Sequence, residues 1–166
     1  YISGHPLDEY RFEMDSFCNS AVADLNDLEM LSAKNEVKVG GIITAIAHRT
    51  TKTGKPFGTI TLEDYGGSFT FFLFGDDYLA HKQFMEGGWF IFVSGRAANR
   101  RWGNQELEFK ITKVELLSEL RNKRSKGIQI SVDLEDINEA MIMELDNLCQ
   151  TFKGDCKVQL MITDKT

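Results

Sequence analysis

The stretch VKVGGIITAIAHRTTKTGKPFGTITLEDYGGSFTFFLF, residues 37–74, reads as three strands in series. Its apolar residues tend to fall at every second position and many are β-branched, the signature of half-buried strands. Residues 37–49 form one long strand, in which Gly40 and Gly41 predict a bulge or a sharp bend. TTKTGKP (50–56) is a polar turn. FGTITLE (57–63) is a second strand, with Ile60 and Leu62 on one face and Thr59 and Thr61 on the other. DYGG (64–67) closes a hairpin. SFTFFLF (68–74) is a third strand, with Phe69, Phe71 and Leu73 on one face and Thr70 and Phe72 on the other.

Downstream, GDDYLAHKQFMEGG (75–88) breaks the two-residue period. Tyr78, Leu79, Phe84 and Met85 fit a short helix, with Asp76 and Asp77 in its first turn and Gly87 and Gly88 at its end. WFIFVSGRA (89–97) and ELEFKITKVELL (106–117) are a fourth and a fifth strand around the loop NRRWGNQ (99–105). The fifth alternates Leu107, Phe109, Ile111 and Val114, with a slip near its end. Three meander strands, a helix and two more strands in about 80 residues is the order of an OB-fold, a five-stranded, partly open Greek-key barrel. A small SH3-like barrel is the competing architecture, but it would not place a helix at that point. The fold class is therefore mainly β with flanking α.

Residues 1–35 read as a helical lead-in. Pro6 suits a first helical turn, and Leu7, Tyr10, Met14 and Phe17 recur at helical spacing. SELRNKRSKG (118–127) reads as a basic linker. Residues 128–166 then give a strand, an amphipathic helix with Ile137, Met141, Leu145, Leu148 and Phe152 on one stripe, and another strand. The domain reading is thus 1–35, 36–117, 118–127 and 128–166. A lone strand-helix-strand unit exposes sheet edges, so the natural protein is expected to continue past Thr166. Neither a signal peptide nor a membrane-length apolar run is read in the chain, and from its start at Tyr1 it is expected to be a segment of a longer one.

The 166 residues include 18 aromatics and are 42% hydrophobic, a composition that excludes a disordered chain. Cys18, Cys149 and Cys156 are odd in number and lack metal-site spacing, so they read as small hydrophobes in a reducing compartment. His5, His48 and His81 are scattered, and no nucleophile elbow, metal motif or phosphate loop is present. No active site and no cofactor is predicted.

The formal charge of −6 is uneven, being −5 over residues 1–35, +1 over 36–117 and −2 over 118–166. Arg49, Lys52 and Lys55 cluster around the first hairpin loop, with no acid among them. Arg96, Arg100 and Arg101 cluster around the loop between strands four and five, with Trp102 at its tip. In an OB-fold these loops flank one face, the face that takes oligonucleotides. Between them, Phe57, Thr59, Thr61, Thr70 and Phe72 are expected to line a groove in which phosphates meet cations and bases stack on rings. Phe72 could instead lie under the lead-in helix, and basic loops can serve solubility alone.

Several segments also resemble a known family. YISGHPLDEY, VGGIITAIAHRTTKTGKPFGTITLED, FFLF and IFVSGR are similar, in that order, to the OB-fold region of bacterial DNA polymerase III alpha subunits. The shared positions are Tyr1, Gly4, His5 and Pro6, then Gly41 to Ile43, Thr51 to Gly54 (which brings in Thr53), Thr61 to Asp64, and Val93 to Arg96. The resemblance spans essentially the whole chain. It implies a replicative, DNA-templated polymerase in the bacterial cytoplasm, whose catalytic carboxylates and sliding-clamp-binding peptide lie upstream of Tyr1. It implies that the barrel contacts single-stranded template DNA. Residues 128–166 would begin the domain that engages the clamp-loader tau subunit. NRRWGNQELEF departs from the family pattern in being more basic and in carrying a Trp. The expected function is a non-catalytic, monomeric, single-stranded-DNA-binding module. The alternatives are a protein-interaction module and a tRNA anticodon-binding domain.

Overall fold

The computed structural model describes residues 4–99 and 106–164, which fall into two compact units, Tyr1–Arg121 and Asn122–Thr166. In the first unit the strands are β1 (Val37–Thr50), β2 (Pro56–Glu63), β3 (Ser68–Phe74), β4 (Phe90–Asn99) and β5 (Leu107–Leu116), in the sheet order β3-β2-β1-β4-β5. Every neighbouring pair is antiparallel. This is the topology of the OB-fold barrel. Its two edge strands meet through side chains, the Phe71 ring on β3 lying 5.8 Å from the Phe109 ring on β5.

The inward phase of the strands carries the core. Val37, Val39, Ile43, Ile60, Leu62, Phe71, Leu73, Ile91 and Val93 are all buried, and each large aliphatic stabilises the fold by roughly 1.5–3 kcal/mol. The long strand β1 serves two partners. Its first half pairs with β4 and its second half with β2. The bulge lies at Thr44, where the ladder slips between Ile43 and Ala45, and not at the glycine pair. Gly40 and Gly41 instead permit close packing. A Cβ on Gly41 would sit 2.5 Å from the Glu63 carbonyl oxygen, and one on Gly40 would sit 2.5 Å from Met14 Sδ. The slip anticipated near the end of the fifth strand is a second bulge, at Thr112, where Ser94 pairs with Lys113 and Gly95 with Ile111.

The helix between β3 and β4 is α3 (Gly75–His81), continued by a 3-10 turn over Lys82–Phe84. Tyr78, Phe84 and Met85 pack on the core, but Leu79 faces outward, because only one side of so short a helix meets the barrel. Burial holds the His81 imidazole below its ordinary pKa, with Asp77 opposing the shift.

The lead-in is helical, as expected, and is built from four short pieces. It comprises a 3-10 turn (Pro6–Tyr10), α1 (Arg11–Phe17), a second 3-10 turn (Val22–Asn26) and α2 (Leu28–Leu31). The GHP segment is a cap. His5 Nδ1 accepts from the Leu7 N–H, Asp8 accepts from the His5 N–H at 2.8 Å, and the Tyr65 hydroxyl donates to Asp8 at 2.9 Å. Slight burial and this Asp8 contact raise the Tyr65 pKa. Leu7 is buried with Phe92, Leu117 and Leu120, and Tyr10, Met14 and Phe17 pack against them. The lead-in therefore covers the outer side of β4.

Helix α4 (Leu117–Arg124) takes in most of the run 118–127 read from sequence as a basic linker. Leu117 and Leu120 are fully buried, and Arg121 pairs with the buried Glu13 at 2.9 Å and lies over the Phe12 ring at 4.9 Å. These contacts order a run too polar to announce itself.

The second unit holds β6 (Gly127–Asp133), α5 (Glu139–Thr151) and β7 (Lys157–Thr163), with the two strands parallel. Asn138 caps α5 by accepting from the Met141 N–H at 2.9 Å. Ile137, Met141 and Leu145 are half-buried, whereas Leu148 and Phe152 of the predicted stripe are exposed. Among the described residues no helix is long and apolar enough to cross a membrane.

Candidate nucleic-acid interface

The β1–β2 turn is built by its own side chains. Thr51 Oγ1 accepts from the Lys55 N–H at 3.0 Å and lies 3.0 Å from Thr53 Oγ1, and the Thr51 N–H donates to the Lys55 carbonyl. Gly54 takes φ 80°, a left-handed conformation that a side chain disfavours. The Thr53 hydroxyl thus takes part in the turn while its side chain stays exposed. The product is a tight loop whose two lysines, Lys52 and Lys55, project into solvent.

The ladders set side chains in rows across the sheet. Arg49, Phe57 and Phe74 form one row, Ala47, Thr59 and Phe72 the next, and Ala45, Thr61 and Thr70 a third. The Phe57 and Phe74 rings stack, with centroids 5.2 Å apart and planes 16° apart. Phe72 is 64% exposed and Phe74 54%, so neither the lead-in nor α3 covers them. Thr61 and Thr70 are half-buried and hydrogen-bond each other at 2.9 Å. Phe74 is absent from the residues picked out by sequence, although it stands two positions beyond Phe72 in the same phase. Its place at the strand end, against the acidic start of α3, hides that signal.

Of the second cationic cluster, Arg96 is exposed on β4 in register with Lys110. Arg100, Arg101 and Trp102 lie outside the described residues. The ends of that hairpin, Asn99 and Leu107, pair with each other. Leu107 is two residues from Phe109, whose ring meets Phe71 on β3. Among the described residues, Arg49, Lys52, Lys55 and Arg96 have no carboxylate within ion-pair distance.

The acid that follows β2 has a structural role. Asp64 is buried and accepts from the Val22 N–H at 2.7 Å, the Gly66 N–H at 2.9 Å and the Gly67 N–H at 3.1 Å. It joins the lead-in to the β2–β3 turn. The histidines are likewise engaged in the fold, with His48 Nδ1 lying 2.9 Å from the Tyr78 hydroxyl.

Residues 37–117 match the family model of an OB-fold nucleic acid binding domain, and residues 128–166 match that of the DNA polymerase III alpha subunit, C-terminal domain. The chain is 24% identical to the DNA polymerase III subunit alpha of Pseudomonas fluorescens over 163 residues, 98% of this chain and 13% of that one. It is 33% identical to the subunit of Borreliella burgdorferi over 126 residues, 73% of this chain and 10% of the relative. This chain is a relative of the DNA polymerase III alpha subunits. It spans about an eighth of the length of the Pseudomonas subunit. Among solved structures, the mitochondrial single-stranded DNA binding protein Rim1 from S. cerevisiae aligns with TM-score 0.36 and 14% identity, covering 50% of this chain and 95% of that one. The asparaginyl-tRNA synthetase of Entamoeba histolytica aligns with TM-score 0.39 and 18% identity, covering 63% and 25%. Of the segments similar to the alpha subunits, Thr51–Gly54 builds the β1–β2 turn and Thr61–Asp64 ends in the Asp64 clamp.

Proposed function

We propose that the chain is the single-stranded-DNA-binding OB module of a replicative DNA polymerase alpha subunit, guiding template without chemistry of its own. The observation that carries this reading is the register that sets Arg49, Phe57 and Phe74 in one row beside Thr59 and Phe72, on a face left open to solvent. Cations at one end of that face hold phosphates, and flat rings hold bases. The fold and the kinship with alpha subunits support it. Cytoplasmic DNA replication is the setting it implies.

The test is a salt titration of labelled oligo-dT binding. If the six cations of the two loops each neutralise a phosphate, log affinity falls against log salt with a slope of about −4, at roughly −0.7 per contact. Neutralising Arg49, Lys52 and Lys55 together makes the slope shallower by about 2. A slope near zero for the unaltered chain would end the proposal. Competition with RNA of the same sequence separates it from anticodon recognition, which requires an RNA preference.

A second reading concerns the other unit. Ile142 and Leu148 are exposed on α5, and Phe152 is exposed just past its end, which favours docking of a protein. The sliding clamp and the clamp-loader tau subunit are the partners proposed for the parent polymerase. Capture of either by a chain that has lost DNA binding through Arg49→Glu and Lys52→Glu would support this reading. Loss of both functions together would count against it.

A further inference from the structure

We infer that Phe72 and Phe74 are two adjacent stacking platforms for successive bases, and that Phe57 is the positioning residue that holds the second. The inference rests on the single-stranded-nucleic-acid reading and deepens it. Both rings stand on β3 in the outward phase, two residues apart, which separates them by roughly 6.6 Å along the strand. Each is more than half exposed, an uncommon state for two large aromatics so close together on one strand, since burial is what rings of this size normally gain.

The two platforms differ. Phe74 is backed by Phe57, whose ring lies nearly parallel to it at 5.2 Å, so its ordering cost is met before a ligand arrives. Phe72 has Thr59 as its cross-strand neighbour and no ring pairing with it among the described residues. Arg49 lies in the Phe57–Phe74 row at the β1 end. A nucleotide on Phe74 therefore places its phosphate toward the guanidinium while its base covers the ring. The contact is to a ring face and not to a base edge, so it tolerates any base.

The experiment measures binding of the full 166-residue chain to oligo-dT and to an abasic oligonucleotide of equal length and charge. Phe72→Leu and Phe74→Leu keep apolar bulk but remove the π-face. Each is expected to weaken dT binding about 5- to 150-fold while leaving abasic binding and the salt slope unchanged. Phe57→Leu, with Phe74 intact, is expected to weaken dT binding by less than Phe74→Leu does. Salt-dependent dT binding that is equal in the unaltered chain and in both platform variants would overturn this inference and leave the DNA-binding reading standing. Absence of salt-dependent binding to either oligonucleotide by the unaltered chain would overturn both.

Discussion

Replacing Asp64 tests how the lead-in is fastened to the barrel. Its carboxylate accepts three backbone N–H groups, one oxygen taking Val22 and the other taking Gly66 and Gly67. Asp64→Asn keeps the shape but offers one acceptor oxygen and one amide. Whichever way the amide turns, an N–H donor faces an N–H donor. If the oxygen stays on the turn, the buried Val22 N–H is orphaned, at a cost of about 1–3 kcal/mol. Asp64→Ala orphans Val22 and also strips the turn, where Gly66 and Gly67 can recover part of the loss from water. A total of roughly 3 kcal/mol follows, or a fall in Tm of about 10 °C for a unit of this size. Both tryptophans, Trp89 and Trp102, belong to the first unit, so urea unfolding followed by tryptophan fluorescence reports that unit alone. Hydrogen exchange at the Val22 amide supplies the local readout and should quicken in both variants. If both variants unfold within about 0.5 kcal/mol of the parent with Val22 protection unchanged, the clamp has been misassigned.

Gly41→Ala drives a Cβ into the Glu63 carbonyl oxygen and Leu62, so it should cost about 1–3 kcal/mol by overpacking. Gly87→Ala, with open space at that position, serves as the near-neutral control in the same urea series. The depressed His81 pKa makes stability fall on acidification. The unfolded chain takes up the proton first, near its ordinary value of 6.5, while the folded chain resists until the lower value is reached. His81→Gln should therefore lose less stability than the parent between pH 7 and pH 5, and equal losses would refute the assignment.

Much of the barrel was legible because strand period and turn chemistry are local. Ile60 and Leu62 inward with Thr59 and Thr61 half-open, and Phe71 and Leu73 inward with Phe72 outward, follow from alternation alone. Long-range causes were not legible. Gly40 and Gly41 look like a bulge in one dimension, yet they exist because Met14 and the β2 backbone come within reach. Helix α4 has two buried leucines in eight residues, and the groups that order it, Glu13 and Phe92, are distant in sequence. At the candidate site, the first loop and the row of rings were accessible to pattern. Phe74 was lost at an element boundary, where period is hardest to follow. The turn contacts of Thr53 and the clamp formed by Asp64 depend on side-chain geometry that no motif displays.

The seam between β3 and β5 has a mechanical consequence. Among the described residues β3 has a single ladder, to β2, and its other side rests on the ring contact of Phe71 with Phe109. Ring contacts are weakly directional and can slide, whereas a ladder must break bond by bond. Phe72 and Phe74 thus ride on an edge stave of the barrel, and an arriving polymer could be accommodated by a small shear there while the strands behind it keep their places.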